Sequence, residues 1–136
     1  VWDMLITRAE EVLNPRTISP FIEAGGVGAA ILTKNGKVYT GVCIDTASTL
    51  GMCAERNAIA NMITNGESKI EKLVCVMRNG EVGSPCGACR QVMLETEYRF
   101  GIPMKVILYG KKMCYIFESA ADLLPLNFVA ENLQGK

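Results

Sequence analysis

The spacing of apolar positions changes several times along the chain, and each change marks an element. Trp2, Leu5, Ile6, Ala9, Val12 and Leu13 recur at helical spacing, with Asp3, Arg8, Glu10 and Glu11 elsewhere, which predicts a helix over residues 1–13. Pro15 and Pro20 break that pattern. Phe21 to Gly26 then reads as a loop closed by the Gly25-Gly26 pair. Val27 to Thr33 is short and apolar, a buried strand. Lys34-Asn35-Gly36-Lys37 places Asn-Gly at the centre of a turn, a strong hairpin signal, and Lys37 to Ile44 returns as the partner strand.

Asp45 to Met52 is a polar loop. Cys53 opens a helix running to about Asn65, with Ala54, Asn57, Ala58 and Asn61 on one small-residue face and Gly66 as its cap. Leu73 to Met77 is a third strand, followed by a loop over 78–85. Cys86 to about Tyr98 is a further helix. Met104 to Tyr109 and Met113 to Phe117 are strands around Gly110-Lys111-Lys112. Ser119 caps a short helix through Leu124, which Pro125 ends. The order α-β-β-α-β-α-β-β-α predicts one sheet with helices on its faces. With no repeat, low-complexity tract or linker, residues 1–136 are expected to form one domain.

Composition narrows the function. Lys+Arg and Asp+Glu number 14 each, so no basic excess favours nucleic acid as a partner. No apolar run approaches the roughly 18 residues of a membrane span, and no signal peptide is visible at Val1-Trp2-Asp3-Met4. The 49% hydrophobic content suits a chain that builds a core without disulfide staples. The six cysteines therefore point to a reducing cytoplasm with thiolates free for metal.

Two stretches carry the chemistry. Pro85-Cys86-Gly87-Ala88-Cys89-Arg90 sets two cysteines on the first turn of a helix, where both can face one metal ion. A C-x-x-C pair alone also fits redox or structural sites. The second stretch, Cys53-Ala54-Glu55-Arg56, opens the other helix. Because both helices follow strands of one sheet, their N-termini are expected at the same edge, where α/β proteins bind ligands. There is no histidine, so cysteine must take the place of imidazole on zinc. Three protein ligands with an open fourth position mark a catalytic zinc site. Helix N-termini favour thiolate. Arg56 and Arg90 are candidates to hydrogen-bond ligand sulfurs, against a reading of plain solvent exposure. Glu55, two positions after Cys53, can reach a water at the metal as a proton shuttle, as in zinc base deaminases. Cys43, Cys75 and Cys114 read as small buried hydrophobes, with Cys43 as a rival fourth ligand that would make the zinc structural. Met52, Met62, Met77, Met93, Met104 and Met113 read as core filling.

Val27-Gly28-Ala29-Ala30, Thr40-Gly41-Val42, Ala47-Ser48, Cys53-Ala54-Glu55-Arg56 and Pro85-Cys86-Gly87-Ala88-Cys89-Arg90-Gln91-Val92 together resemble the small cytidine deaminases. The likeness runs in order from about residue 20 to residue 128. It implies a three-layer α/β/α sandwich with a five-stranded mixed sheet, in a homotetramer whose sites are completed by neighbours. It implies Zn²⁺ on Cys53, Cys86 and Cys89, Glu55 as proton shuttle, and Arg56 offsetting thiolate charge. Cys43, Asp45, Ala54 and Phe128 fall where the family meets its nucleoside. Phe128, after Leu123-Leu124-Pro125, would stack on the base across a subunit interface, or else is ordinary core.

The substrate side departs from the family pattern. Cys43 stands for the usual Asn, Asp45 for the usual Glu, and Gly25 for the pocket aromatic. The expected activity is hydrolytic deamination of cytidine or deoxycytidine to uridine or deoxyuridine, releasing ammonia, within pyrimidine salvage. A modified cytosine nucleoside such as blasticidin S is the alternative substrate. A non-catalytic structural zinc domain is the alternative to an enzyme.

Overall fold

The computed structural model describes residues 2–128, apart from the side chains of 98–100. Val1, where the predicted first helix begins, and residues 129–136 lie outside the described residues. The helices are α1 (Trp2–Glu11), α2 (Ala54–Thr64) and α3 (Gly87–Phe100). The strands are β1 (Arg16–Ser19), β2 (Ile22–Thr33), β3 (Val38–Thr46), β4 (Ile70–Met77), β5 (Lys105–Tyr109) and β6 (Cys114–Phe117). A single 3₁₀ turn, Ala120–Leu123, follows, and the Ser119 hydroxyl caps it by accepting from the Ala121 N–H.

The sheet has six strands where five were expected. The extra strand, β1, is bounded by Pro15 and Pro20 and is largely exposed, so it carries no apolar alternation to betray it. It pairs antiparallel with Ile22 to Ala24, which belong to β2 and not to a loop. The Gly-Gly signal there marks an irregularity within the long strand: β2 and β3 shift register between Ala24 and Gly28, and Gly25 adopts φ +89. The hairpin turn at 34–37 forms as predicted, with the Thr33 N–H donating to the Lys37 carbonyl at 2.9 Å.

β2 pairs antiparallel with both β3 and β4, β4 runs parallel to β5, and β6 closes the far edge antiparallel to β5. β3 and β4 therefore run in the same direction, and the helices that follow them start at the same end of the sheet. Alternate residues of β2 serve opposite faces. Ala30 and Leu32 pack with Leu5 and Ala9 of α1. Ala29 and Ile31 join Ala58, Ile59 and Met62 of α2 and Met93 of α3 on the other face. Cover on both faces explains why the β2 run is apolar without interruption, and it produces the expected three layers. Met62, Met93 and Met104 are fully buried as read, whereas Met52 and Met113 are exposed. Cys114 is also exposed, on the edge strand β6, because only one side of that strand is paired.

One contact sets the position of α2. A Cβ placed on Gly41 of β3 would lie 2.3 Å from the Ala58 nitrogen and 2.8 Å from the Ala54 carbonyl oxygen. Glycine there and alanine on the helix let two backbones meet. The small-residue face read from the sequence is this contact. Its two asparagines satisfy the open edge of β3: the Asn57 amide donates to the Val42 carbonyl at 3.0 Å, and the Asn61 amide donates to the Thr40 carbonyl at 3.1 Å. Gly41→Ala should force α2 off the sheet. The expected cost is about 1–3 kcal/mol, read as a fall of roughly 5–10 °C in melting temperature. An unchanged melting temperature would show that the contact does not fix the helix.

Candidate metal centre

The ends of β3 and β4 deliver two helix starts to one place. Cys53 is the N-cap residue of α2, in extended backbone conformation. Cys86 immediately precedes α3, and Cys89 lies within its first turn. The Sγ atoms of Cys53, Cys86 and Cys89 all lie within 4.8 Å of one another. Cys53 and Cys86 are 3.3 Å apart. Among the described residues this is the only group of three or more His, Cys, Asp or Glu side chains that could hold a metal ion.

Cys43 is not among the three. Its sulfur instead accepts the Val27 N–H at 3.3 Å, across the β2–β3 pair. A four-cysteine structural site is thus not assembled, and the cluster leaves one zinc position for another ligand.

The electrostatics suit a cation. Burial works against ionisation of Cys86, but the N–H groups of Cys89 and Ala88 and the Cys53 side chain outweigh it and hold its pKa below the usual thiol value. Cys89 is pushed far up by burial, and then by the charge of Glu55. Ionising all three thiols therefore calls for a positive charge among them. Arg56 supplies part of the balance: its Nη2 donates to Cys53 Sγ at 3.6 Å. That hydrogen bond comes first among the effects that keep the guanidinium protonated more firmly than usual. Arg56 Nε is buried and has no partner among the described residues, which marks the guanidinium as aimed at the sulfurs and not at solvent. Soft donors, an open position and a nearby cation fit zinc.

Beside the sulfurs opens a cavity of about 740 Å³, whose wall includes Cys43, Asp45, Cys53, Ala54, Glu55 and Cys86. Glu55 is only 5% exposed and is the one buried carboxylate among the described residues. Burial raises its pKa, against the lowering effects of its own backbone N–H, the Cys75 thiol and the Arg56 charge. A buried carboxyl with its pKa raised beside a cluster of thiols is a candidate acid–base group.

Phe128 is not brought to this cavity. It is 48% exposed, and its carbonyl accepts from the Gln91 amide at 3.0 Å; it is not core either. Arg90 meets no sulfur. Its guanidinium goes to the carbonyls of Pro85 and Leu123 and to the Ser84 hydroxyl. The aromatic missing at Gly25 has a local reason: a Cβ there would lie 2.2 Å from the Asn14 carbonyl oxygen. Several wall residues escaped the sequence reading, Cys75, Met77 and Thr49 among them. Cys75 and Met77 alternate along β4 and look like core, yet both line the cavity. Thr49 lines it from the loop after β3, at φ +64. No periodic pattern could have flagged it.

The sequence model described as "Cytidine and deoxycytidylate deaminase zinc-binding region" matches residues 15–102. A cytidine deaminase of Mycobacterium tuberculosis is 41% identical over 70 residues, covering 51% of this chain and 53% of that protein. The chain thus spans about half the length of that relative. A cytidine deaminase of Halalkalibacterium halodurans is 37% identical over 110 residues, covering 79% of this chain and 80% of its own. The crystal structure of cytidine deaminase from Burkholderia pseudomallei superposes with a TM-score of 0.78 at 32% identity, covering 94% of this chain and 99% of that one. With three clustered cysteines at the shared sheet edge and a match across most of its length, the chain belongs to the cytidine and deoxycytidylate deaminase zinc-binding family.

Proposed function

We propose that the chain is a zinc-dependent hydrolase that deaminates a cytosine nucleoside, converting cytidine or deoxycytidine to the uracil nucleoside and ammonia. The observation that carries this reading is Glu55: the one buried carboxylate among the described residues forms the wall of the cavity that also holds the Cys53 and Cys86 sulfurs. Cys53, Cys86 and Cys89 would hold the zinc, which would supply the Lewis acidity that makes water a competent nucleophile near neutral pH. Glu55 moves the protons. It takes one from the water that adds to C4 of the ring and delivers it to N3. It then takes the proton of the new C4 hydroxyl and passes it to the exocyclic amino group, which leaves as ammonia as the C4 carbonyl forms. Arg56 restrains the charge on Cys53, so the three sulfurs donate less electron density to the metal.

Ala54 and the loop after β3 form the rest of the pocket. Asp45 is the strong acceptor placed for the sugar, and Cys43 flanks it. Phe128 lies outside its own chain's cavity, which suits a role in closing the site of a neighbouring copy in a homotetramer. Six free cysteines fit a reducing cytoplasm and a place in pyrimidine salvage. Residues 1–136 act as one domain, with nucleic acid and membrane playing no part; among the described residues no helix is long and apolar enough to cross a membrane.

A second substrate reading rests on Cys43. Its sulfur is already engaged by the Val27 N–H, and a thiol is a weak donor, so Cys43 offers a sugar hydroxyl less than the amide usual at that position. Such an exchange suits a modified cytosine nucleoside such as blasticidin S.

Two experiments test these readings. Glu55→Gln should retain one zinc per chain by elemental analysis while kcat falls by about 10²–10⁴ or more; wild-type turnover in that variant would remove Glu55 from the reaction. Ammonia release from cytidine, deoxycytidine and blasticidin S, measured side by side, should show the highest kcat/KM for one of the first two. A preference for blasticidin S would establish the second reading, and no release from any of the three would overturn both.

A further inference from the structure

Arg90 stands at the crossing of three segments. Its Nε donates to the Pro85 carbonyl at 2.8 Å, one residue before Cys86. Its Nη1 donates to the Leu123 carbonyl at 2.9 Å, at the end of the 3₁₀ turn. Its Nη2 donates to the Ser84 hydroxyl. Pro85 is buried and Arg90 half-buried, so these charge-assisted bonds are partly shielded from water. One planar fork therefore fixes both the loop that presents Cys86 and the segment that leads to Phe128. The next residue repeats the tie, since the Gln91 amide donates to the Phe128 carbonyl at 3.0 Å.

The turn is anchored a second time on α3. Glu97 accepts from the Ser119 hydroxyl at 2.8 Å and from the Ala120 N–H at 2.9 Å. The start of the turn is thus held without Arg90, while its end is hydrogen-bonded to the side chain that also holds the metal-side loop, beside the apolar packing of Leu123 in one cluster with Val82 and Cys89. Binding at Cys86 and order in 123–128 share one side chain, so each must bias the other.

We propose that Arg90 is a positioning residue that couples the metal site to the C-terminal segment 123–128. With zinc on Cys86, the Ser84–Pro85 backbone is held where the fork reaches Leu123. With the segment docked, the same fork holds Cys86 in place for the metal. The inference rests on the zinc ligation assigned under the proposed function.

The test uses the zinc-loaded full chain and follows zinc release to a colorimetric chelator. Arg90→Met keeps the aliphatic stem and removes all three donations; it should release zinc at least about fivefold faster than wild type. Arg90→Lys, a point donor without the fork, should fall between them. Tyr39→Phe removes a hydrogen bond to Glu67 on the far side of the fold and should release zinc at the wild-type rate, separating the coupling from general loss of stability. A measurement without substitution runs in the other direction. Stripping zinc from the wild-type chain should speed hydrogen exchange of the amides in 123–128, and in Arg90→Met the loaded and stripped forms should exchange alike there. Wild-type release from Arg90→Met overturns the proposal. If that variant does not fold, equal exchange in loaded and stripped wild type overturns it. A wild-type chain that holds no zinc on these cysteines would instead sink the ligation itself, and its zinc content shows which of the two has failed.

Discussion

The site depends on how closely α2 approaches the edge strand β3. Gly41 offers no side chain, and Ala54 and Ala58 offer almost none. The helix settles backbone to backbone, and its asparagines occupy carbonyls that the edge strand would otherwise leave to water. Hydrogen bonding closes the edge, and close packing sets the depth of the helix. Cys53 and Glu55 sit at the first turn of that helix, so their positions follow from the docking and not from their own contacts. α3 is delivered to the same sheet end because β4, like β3, runs antiparallel to β2. The three cysteines able to hold a metal are thus placed by topology, and their spacing in the chain is free to be long.

Charge is the second constraint. Three sulfurs without histidine concentrate negative charge in a half-buried place. The protein answers with several partial compensations: N–H groups from the start of α3, the guanidinium of Arg56, and unequal burial of the three cysteines. Cys86 is the thiol ready to ionise, and Cys89 is the one that waits for a cation. Glu55 belongs to the same balance. Its burial in the wall of the cavity resists a charge that its own backbone N–H, the Cys75 thiol and Arg56 favour, and burial prevails.

Much of this was legible in the residues, because the chemistry lies at helix starts and the core alternates. Cys53, Cys86 and Cys89 could be grouped from their places after strands, without any contact being known. The hairpin at Asn35-Gly36 and the cap at Ser119 are local signals with local causes. The misreadings have physical reasons as well. β1 is short, exposed and flanked by prolines, and it exists only because the start of β2 needs a neighbour. Arg90 looked like a partner for sulfur because it follows Cys89, but the helix turns it toward the loop and the 3₁₀ turn. Phe128 reads from the sequence either as a stacking aromatic or as core, and it is neither within this chain: it is half exposed, and its carbonyl is tied down by Gln91. Met77 and Cys75 show the limit of periodicity: a strand position facing the sheet's covered side reads as core even where the cover gives way to a cavity.

That cavity wall has an unusual elemental makeup. Cys43, Met52, Cys53, Cys75, Met77 and Cys86 all contribute to it, so sulfur stands at six of its positions. Sulfur is polarisable and a weak hydrogen-bond partner, and a guest held by such a wall is gripped by dispersion and shape more than by directed bonds. The same atoms set the pocket's chemical lifetime. Oxidation of Met52 or Met77 to the sulfoxide would add a strong dipole to the soft part of the lining, beside the charges of Asp45, Glu55 and Arg56.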